Sequence, residues 1–140
     1  MSTNKENVYS LDFADGSTTY GEWGLVMPSD WDGSTVTAQF FWFANDTTTN
    51  AVLWGLAGVA LGDGNALDTA WGTAATVSDA NASTANQLRI SSATGAMTVG
   101  GSPAASKYVQ FRAERVGGDA SDTLAATARL LGVMVTYTRT

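Results

Sequence analysis

Short alternating apolar runs, each cut off by Gly, Asp, Asn or Ser, constrain this chain more than any other feature of its sequence. In residues 8–13, Tyr9, Leu11 and Phe13 fall on one face and Val8, Ser10 and Asp12 on the other. That two-residue period is the pattern of a strand. Asp15-Gly16 follows, and this dipeptide supplies the positive φ that a tight hairpin requires. Residues 20–27 form a second strand candidate, stopped by Pro28. Trp31-Asp32-Gly33-Ser34 reads as another turn, opening a strand over residues 35–43. One face of that strand carries Val36, Ala38, Phe40 and Trp42. The other turns from Thr35, Thr37 and Gln39 to Phe41 and Phe43, so its aromatic end is a candidate contact surface.

Residues 52–61 continue the series, with Gly55 and Gly58 marking a bulge or a close backbone approach. Residues 62–75 read as a long connection pinned by Trp71. Short strands are expected at residues 75–78, 87–92 and 96–99. In residues 107–116, Val109, Phe111 and Ala113 point inward and Gln110, Arg112 and Glu114 outward. The strand over 129–138 puts Leu131, Val133, Val135 and Tyr137 on one face, with Leu130 and Met134 on the other. No window sustains a 3.6-residue period for three turns. The expected fold is all-β: a single antiparallel β-sandwich, jelly-roll-like, over residues 8–140, preceded by an arm at residues 1–7.

Charge narrows the partners. Thirteen Asp and Glu face 7 Lys and Arg, and charged residues make up only 14% of the chain. Before Arg89 the sole basic residue is Lys5, against ten carboxylates, so no basic stripe exists there to displace counterions from nucleic acid. The surface this leaves is neutral and polar, suited to lying against other protein. Two readings of the acidic half remain open: acidic loops that keep the chain in solution, or an acidic face that meets the basic C-terminal strands of a neighbour. Residues 1–7 lack the basic start and apolar core of a signal peptide. The longest apolar stretch, residues 51–61, is too short to span a bilayer. No membrane partner is expected.

Catalytic equipment is sparse. The chain has no His and no Cys, which removes the usual general base, the Ser-His-Asp arrangement, thiol nucleophiles and thiolate metal sites. Asp30 with Asp32, and Asp119 with Asp122, are the nearest carboxylate pairs; aspartates so spaced cap turns more often than they hydrolyse glycosides. No catalytic, metal or cofactor site is assigned. The sequons at Asn45 and Asn81 carry no argument without a secretory route.

Five tryptophans are many for 140 residues. Trp42 and Trp54 belong to strands and fit a core; Trp31 and Trp71 fall in connections, where they either pin loops or stack on a sugar ring. The polar arm should fray if nothing holds it, so Ser2, Thr3, Asn4 and Lys5 are candidate contacts to a neighbouring subunit, together with Phe41 and Phe43.

The run from Tyr108 to Arg115, the turn Asp122-Thr123-Leu124 and the run from Ala128 to Val133 resemble small β-sandwich virion structural proteins of tailed bacteriophages. The resemblance covers roughly residues 20–138 and rests on strand and turn patterns. It implies a capsid decoration, or cement, protein: a trimer on the capsid surface, assembled in the host cytoplasm, with the major capsid protein as partner and no cofactor. The alternative it leaves is a tail or fibre module binding a host glycan through Trp31 and Trp71. A glycan-active enzyme using an aspartate pair is a third.

Overall fold

Residues 7–140 are described by a computed structural model, and within them the alternation becomes nine strands and no helix. The strands are β1 (Leu11–Phe13), β2 (Thr18–Val26), β3 (Trp31–Ala44), β4 (Ala51–Leu61), β5 (Ala75–Ala80), β6 (Arg89–Ile90), β7 (Gly100–Gly101), β8 (Tyr108–Val116) and β9 (Ala128–Arg139). One sheet has the order β1-β9-β3-β6 and the other β2-β8-β4-β5, with β7 beside β4 where β5 ends. Setting β7 aside and lettering the other strands B to I, the sheets read B-I-D-G and C-H-E-F. That is the jelly-roll order, in which two Greek keys fold over one another. Apart from the short β4–β7 contact, every pairing is antiparallel.

The core lies between the sheets. Val36, Ala38, Phe40 and Trp42 of β3 are all buried, as their alternation requires. They face Val52, Trp54, Leu56 and Ala60 of β4 and Val109, Phe111 and Ala113 of β8. Trp54 is the centre of the aromatic packing. Phe40 stacks on it at 5.5 Å, Phe13 meets it edge-on at 5.2 Å and Trp42 at 5.9 Å. Such pairs contribute about 0.5–1.5 kcal/mol each beyond the area they bury.

Gly55 and Gly58 mark close approaches rather than a bulge, since the β4 register is unbroken. A Cβ on Gly55 would stand 2.9 Å from Glu114, and Gly58 O accepts a hydrogen bond from Gly72 N at 3.1 Å. The Gly72 contact fills the gap on the edge of β4 between β5 and β7. Trp71 does pin this connection, because its ring lies on Arg112.

Three expectations need correction. Residues 8–13 form a strand only from Leu11, because Asn7 to Ser10 make no ladder pairs with β9. Residues 96–99 make a single bridge, Met97 to Val36, and the strand nearby is displaced to Gly100–Gly101. Side chains replace the missing ladder: Ala38 N donates to Thr94 Oγ1 at 3.0 Å and Phe40 N to Ser91 Oγ at 2.9 Å. Hydroxyls thus satisfy backbone donors that a regular strand would otherwise pair. Finally, Leu131 does not share the face of Val133. Trp42 pairs with Leu130 and Phe41 with Gly132, so Leu131 is the extra residue of a bulge. That single insertion turns Leu130 into the core and Leu131 toward solvent.

Candidate functional site

The sequence candidates separate once placed. Ser2, Thr3, Asn4 and Lys5 lie outside the described residues. Trp31 is only 1% exposed and belongs to the core, so it cannot stack on a ligand. Its reading as a loop residue fails because Gly33, at φ +75°, makes an irregularity inside β3 rather than a turn before it. Asp32 Oδ1 accepts from Ser34 N at 2.8 Å within that kink, and the Ser34 hydrogen bonds hold the Asp32 carboxyl below its usual value. Phe43 is buried too, with the Arg129 guanidinium 5.7 Å above its ring. Phe41 and Trp71 remain available, on opposite sheets.

Phe41 sits on the outer face of the β1-β9-β3-β6 sheet. Its cross-strand neighbours are Ile90 of β6 and Gly132 of β9, and the next rows pair Gln39 with Met134 and Thr37 with Thr136. None of these seven residues is charged. Ile90 and Met134 are about half exposed, and a Cβ on Gly132 would meet nothing within 4 Å. The outer face of a sheet that meets only water normally carries polar and charged residues; this one is apolar in the Phe41 row and uncharged in the two below, and charge returns in the row above, where Arg129 lies between Phe43 and Asp12.

Trp71 belongs to the outer face of the other sheet. Connection residues Leu67, Thr69 and Trp71 arch over Glu22 of β2, Val59 and Leu61 of β4, and Tyr108 and Gln110 of β8, enclosing a groove of about 360 Å³. Beside it, Arg112 is clasped between aromatic rings, 4.4 Å from the Tyr20 centroid and 4.7 Å from that of Trp71. Glu114 lies behind Arg112 at 3.7 Å, and burial raises its carboxyl pKa despite that positive neighbour. Tyr108 donates to Gln110 Oε1, which orients the amide at the groove.

No family model, curated protein or solved structure matches this chain. The chemistry must therefore be read from the side chains alone.

The aspartates weighed as catalytic pairs all have structural partners. Asp30 accepts from Tyr137 Oη at 3.0 Å and forms an ion pair with Arg139, 3.1 Å from its Nε, while Asp32 holds Ser34. Asp119 caps Ser121 N at 2.8 Å. Asp122 is buried against Arg115 and also accepts from Leu53 N at 3.0 Å. Among the described residues no three His, Cys, Asp or Glu side chains converge as a metal site would need.

Sequence reasoning missed Arg115. Its guanidinium is wholly buried and donates to Asp122 and to the carbonyls of Phe13, Leu124 and Ala126. The signal was present: Val109, Phe111 and Ala113 point inward, so Arg115 must as well. A carboxylate was then required nearby.

Proposed function

We propose that this chain is a non-catalytic virion structural protein of the capsid-decoration type, which clamps neighbouring subunits through the outer face of its β9 sheet. The uncharged area around Phe41, Ile90, Gly132 and Met134 carries this reading. A patch with no charged side chain in its three rows, apolar at its centre and formed by strands of a jelly roll, loses little when pressed against another protein; the Arg129–Asp12 pair of the adjoining row marks its charged margin. The resemblance of the β8 and β9 regions to phage virion proteins points to the major capsid protein as the surface beneath. A trimeric decoration protein on the capsid follows from the same resemblance. Binding to the assembled lattice alone would stabilise that lattice by mass action.

The test uses Gly132→Arg. The added side chain meets open space within the subunit, so the fold tolerates it, yet it intrudes on the proposed contact face. Decoration of purified capsids should be lost while the melting temperature stays unchanged. Normal decoration by this variant overturns the reading, as does finding the protein only at a tail tip in purified particles.

A second reading is supported by the Trp71 groove. Aromatic faces beside a carboxylate and an amide suit a sugar, whose ring stacks while its hydroxyls donate and accept. Under it the protein is a tail or fibre module, and Trp71→Ala abolishes binding on a glycan array. Trp31 has no part in either reading.

A further inference from the structure

The two long sides of the sandwich are closed differently. On the β5–β6 side, Asp79 bridges the sheets, accepting from Trp42 Nε1 at 2.7 Å and lying 3.9 Å from Arg89 Nη2. Arg89 Nε also donates to Ala80 O at 2.8 Å. On the opposite side the edge strands are β1 and β2, and β1 is very short. It pairs with β9 only at Leu130, Arg129 and Ala128. From Leu131 to Arg139 the flank of β9 on its β1 side carries no strand among the described residues.

Inward-facing residues show the effect. Leu25 of β2 pairs with fully buried Val109, yet it is 38% exposed, and Leu11 of β1 is 49% exposed. Trp23, Val133, Val135 and Tyr137 pack on the core but are only partly covered. A cleft of about 410 Å³ opens here between Tyr9, Leu11, Trp23, Leu130 and Val133. An unpaired run of backbone donors and acceptors above partly covered apolar side chains is the surface on which an extended segment adds as a strand.

The chain's own described N-terminal residues do not pair along this flank. Asn7 to Ser10 form no strand, and Tyr9 is 94% exposed. We propose that the vacant flank of β9 receives the N-terminal arm of a second copy of this chain, added antiparallel in the register that β1 begins. Length supports this occupant: residues 1–10, ahead of Leu11, are enough to cover the open flank over residues 131–139. Polarity supports it as well. Tyr9 and Val8 are exposed apolar residues on adjacent positions, so in an added strand one enters the cleft and the other lies beside Met134 on the outer face. The exchange deepens the assembly reading and rests on it, because a subunit that both gives and receives an arm is tied to its neighbours.

Because the chain contains no Cys, an introduced pair reports unambiguously. Continuing the register past the Leu131 bulge brings residue 4 of the arm opposite Thr138. Asn4→Cys and Thr138→Cys are placed on separate chains carrying different tags, mixed and mildly oxidised. A disulfide between the two tagged chains is expected, and light scattering should show an oligomer that falls to the monomer mass when residues 1–7 are deleted. A monomeric full-length chain overturns the exchange. So does a disulfide that forms only when both substitutions share one chain, which would mean that each arm fills its own flank. A protein that fails these tests but still decorates capsids leaves the assembly reading standing. A cross-linked oligomer absent from purified particles does the reverse.

Discussion

Arg115 and Asp122 face each other through two hydrogen bonds, Nε to Oδ2 at 3.0 Å and Nη2 to Oδ1 at 2.8 Å, with neither side chain exposed. The pair joins the inward row of β8 to the turn before β9. Through Phe13 O, at 3.1 Å from Nη1, it also reaches the end of β1. Asp122→Ala should destabilise the fold by about 3 kcal/mol, since it leaves the buried guanidinium with only the partly exposed Asp15, 3.4 Å from Nη2, as a carboxylate partner. The usual remedy is to replace both partners with apolar residues. Here Arg115→Met combined with Asp122→Leu should recover less than half of the loss. The carbonyls of Leu124 and Ala126 and the Leu53 N–H would still lack partners. Urea unfolding of the single and double variants decides this.

The two tryptophans once grouped as loop residues should behave oppositely. Trp31→Ala empties a core position and should cost about 3–5 kcal/mol. Trp71→Ala removes one face of the clasp on Arg112 and the wall of the groove, and should cost only about 1 kcal/mol. Thermal melts of both variants measure the contrast.

Local pattern carried the sequence reading as far as faces and no further. The alternation from Val36 to Trp42 gave the correct inward row because nothing interrupts the ladder there. At Leu131 the same reasoning chose the wrong face. A bulge inserts one residue, and Leu-Leu-Gly looks alike in either phase. Asp32-Gly33 looked like a turn because its positive φ serves a kink within β3 equally well. The strand order was out of reach, since Leu11 finds Leu130 across most of the chain and leaves no local mark. Trp71's groove was half legible: the residue stood out, but Glu22, Tyr108 and Gln110 come from other strands.

Thr94→Val tests the hydroxyl ladder beside β3. The substitution keeps the shape and removes the acceptor of Ala38 N, leaving a buried donor unpaired. A loss of about 1–3 kcal/mol is expected by denaturant titration. Amide exchange at Ala38 should accelerate in step.

Glu114 gives stability a pH dependence. Burial raises its pKa in the folded state, against the weaker opposing pull of Arg112. Between the ordinary glutamate value and the raised one, the folded chain therefore holds a proton that the unfolded chain has released. Stability falls as pH climbs through that window. Glu114→Gln should flatten this part of the profile, as read from urea midpoints between about pH 4 and about pH 7.

The placement of β9 has a consequence for how the chain reaches its folded state. This final strand of the jelly roll lies between β1 and β3, and before it arrives β1 has no neighbour in its sheet and β3 has only the two residues of β6, the Met97 bridge and the Ser91 and Thr94 hydroxyls. Half of the sandwich thus waits for pairings such as Leu11 with Leu130, whose loops are among the longest the sequence permits. Closing them first costs chain entropy, so folding should fall in the slow range of milliseconds to seconds seen for all-β topologies. During that interval the backbone flank of β3 that β9 will pair stands open, and whatever meets the nascent chain meets it there.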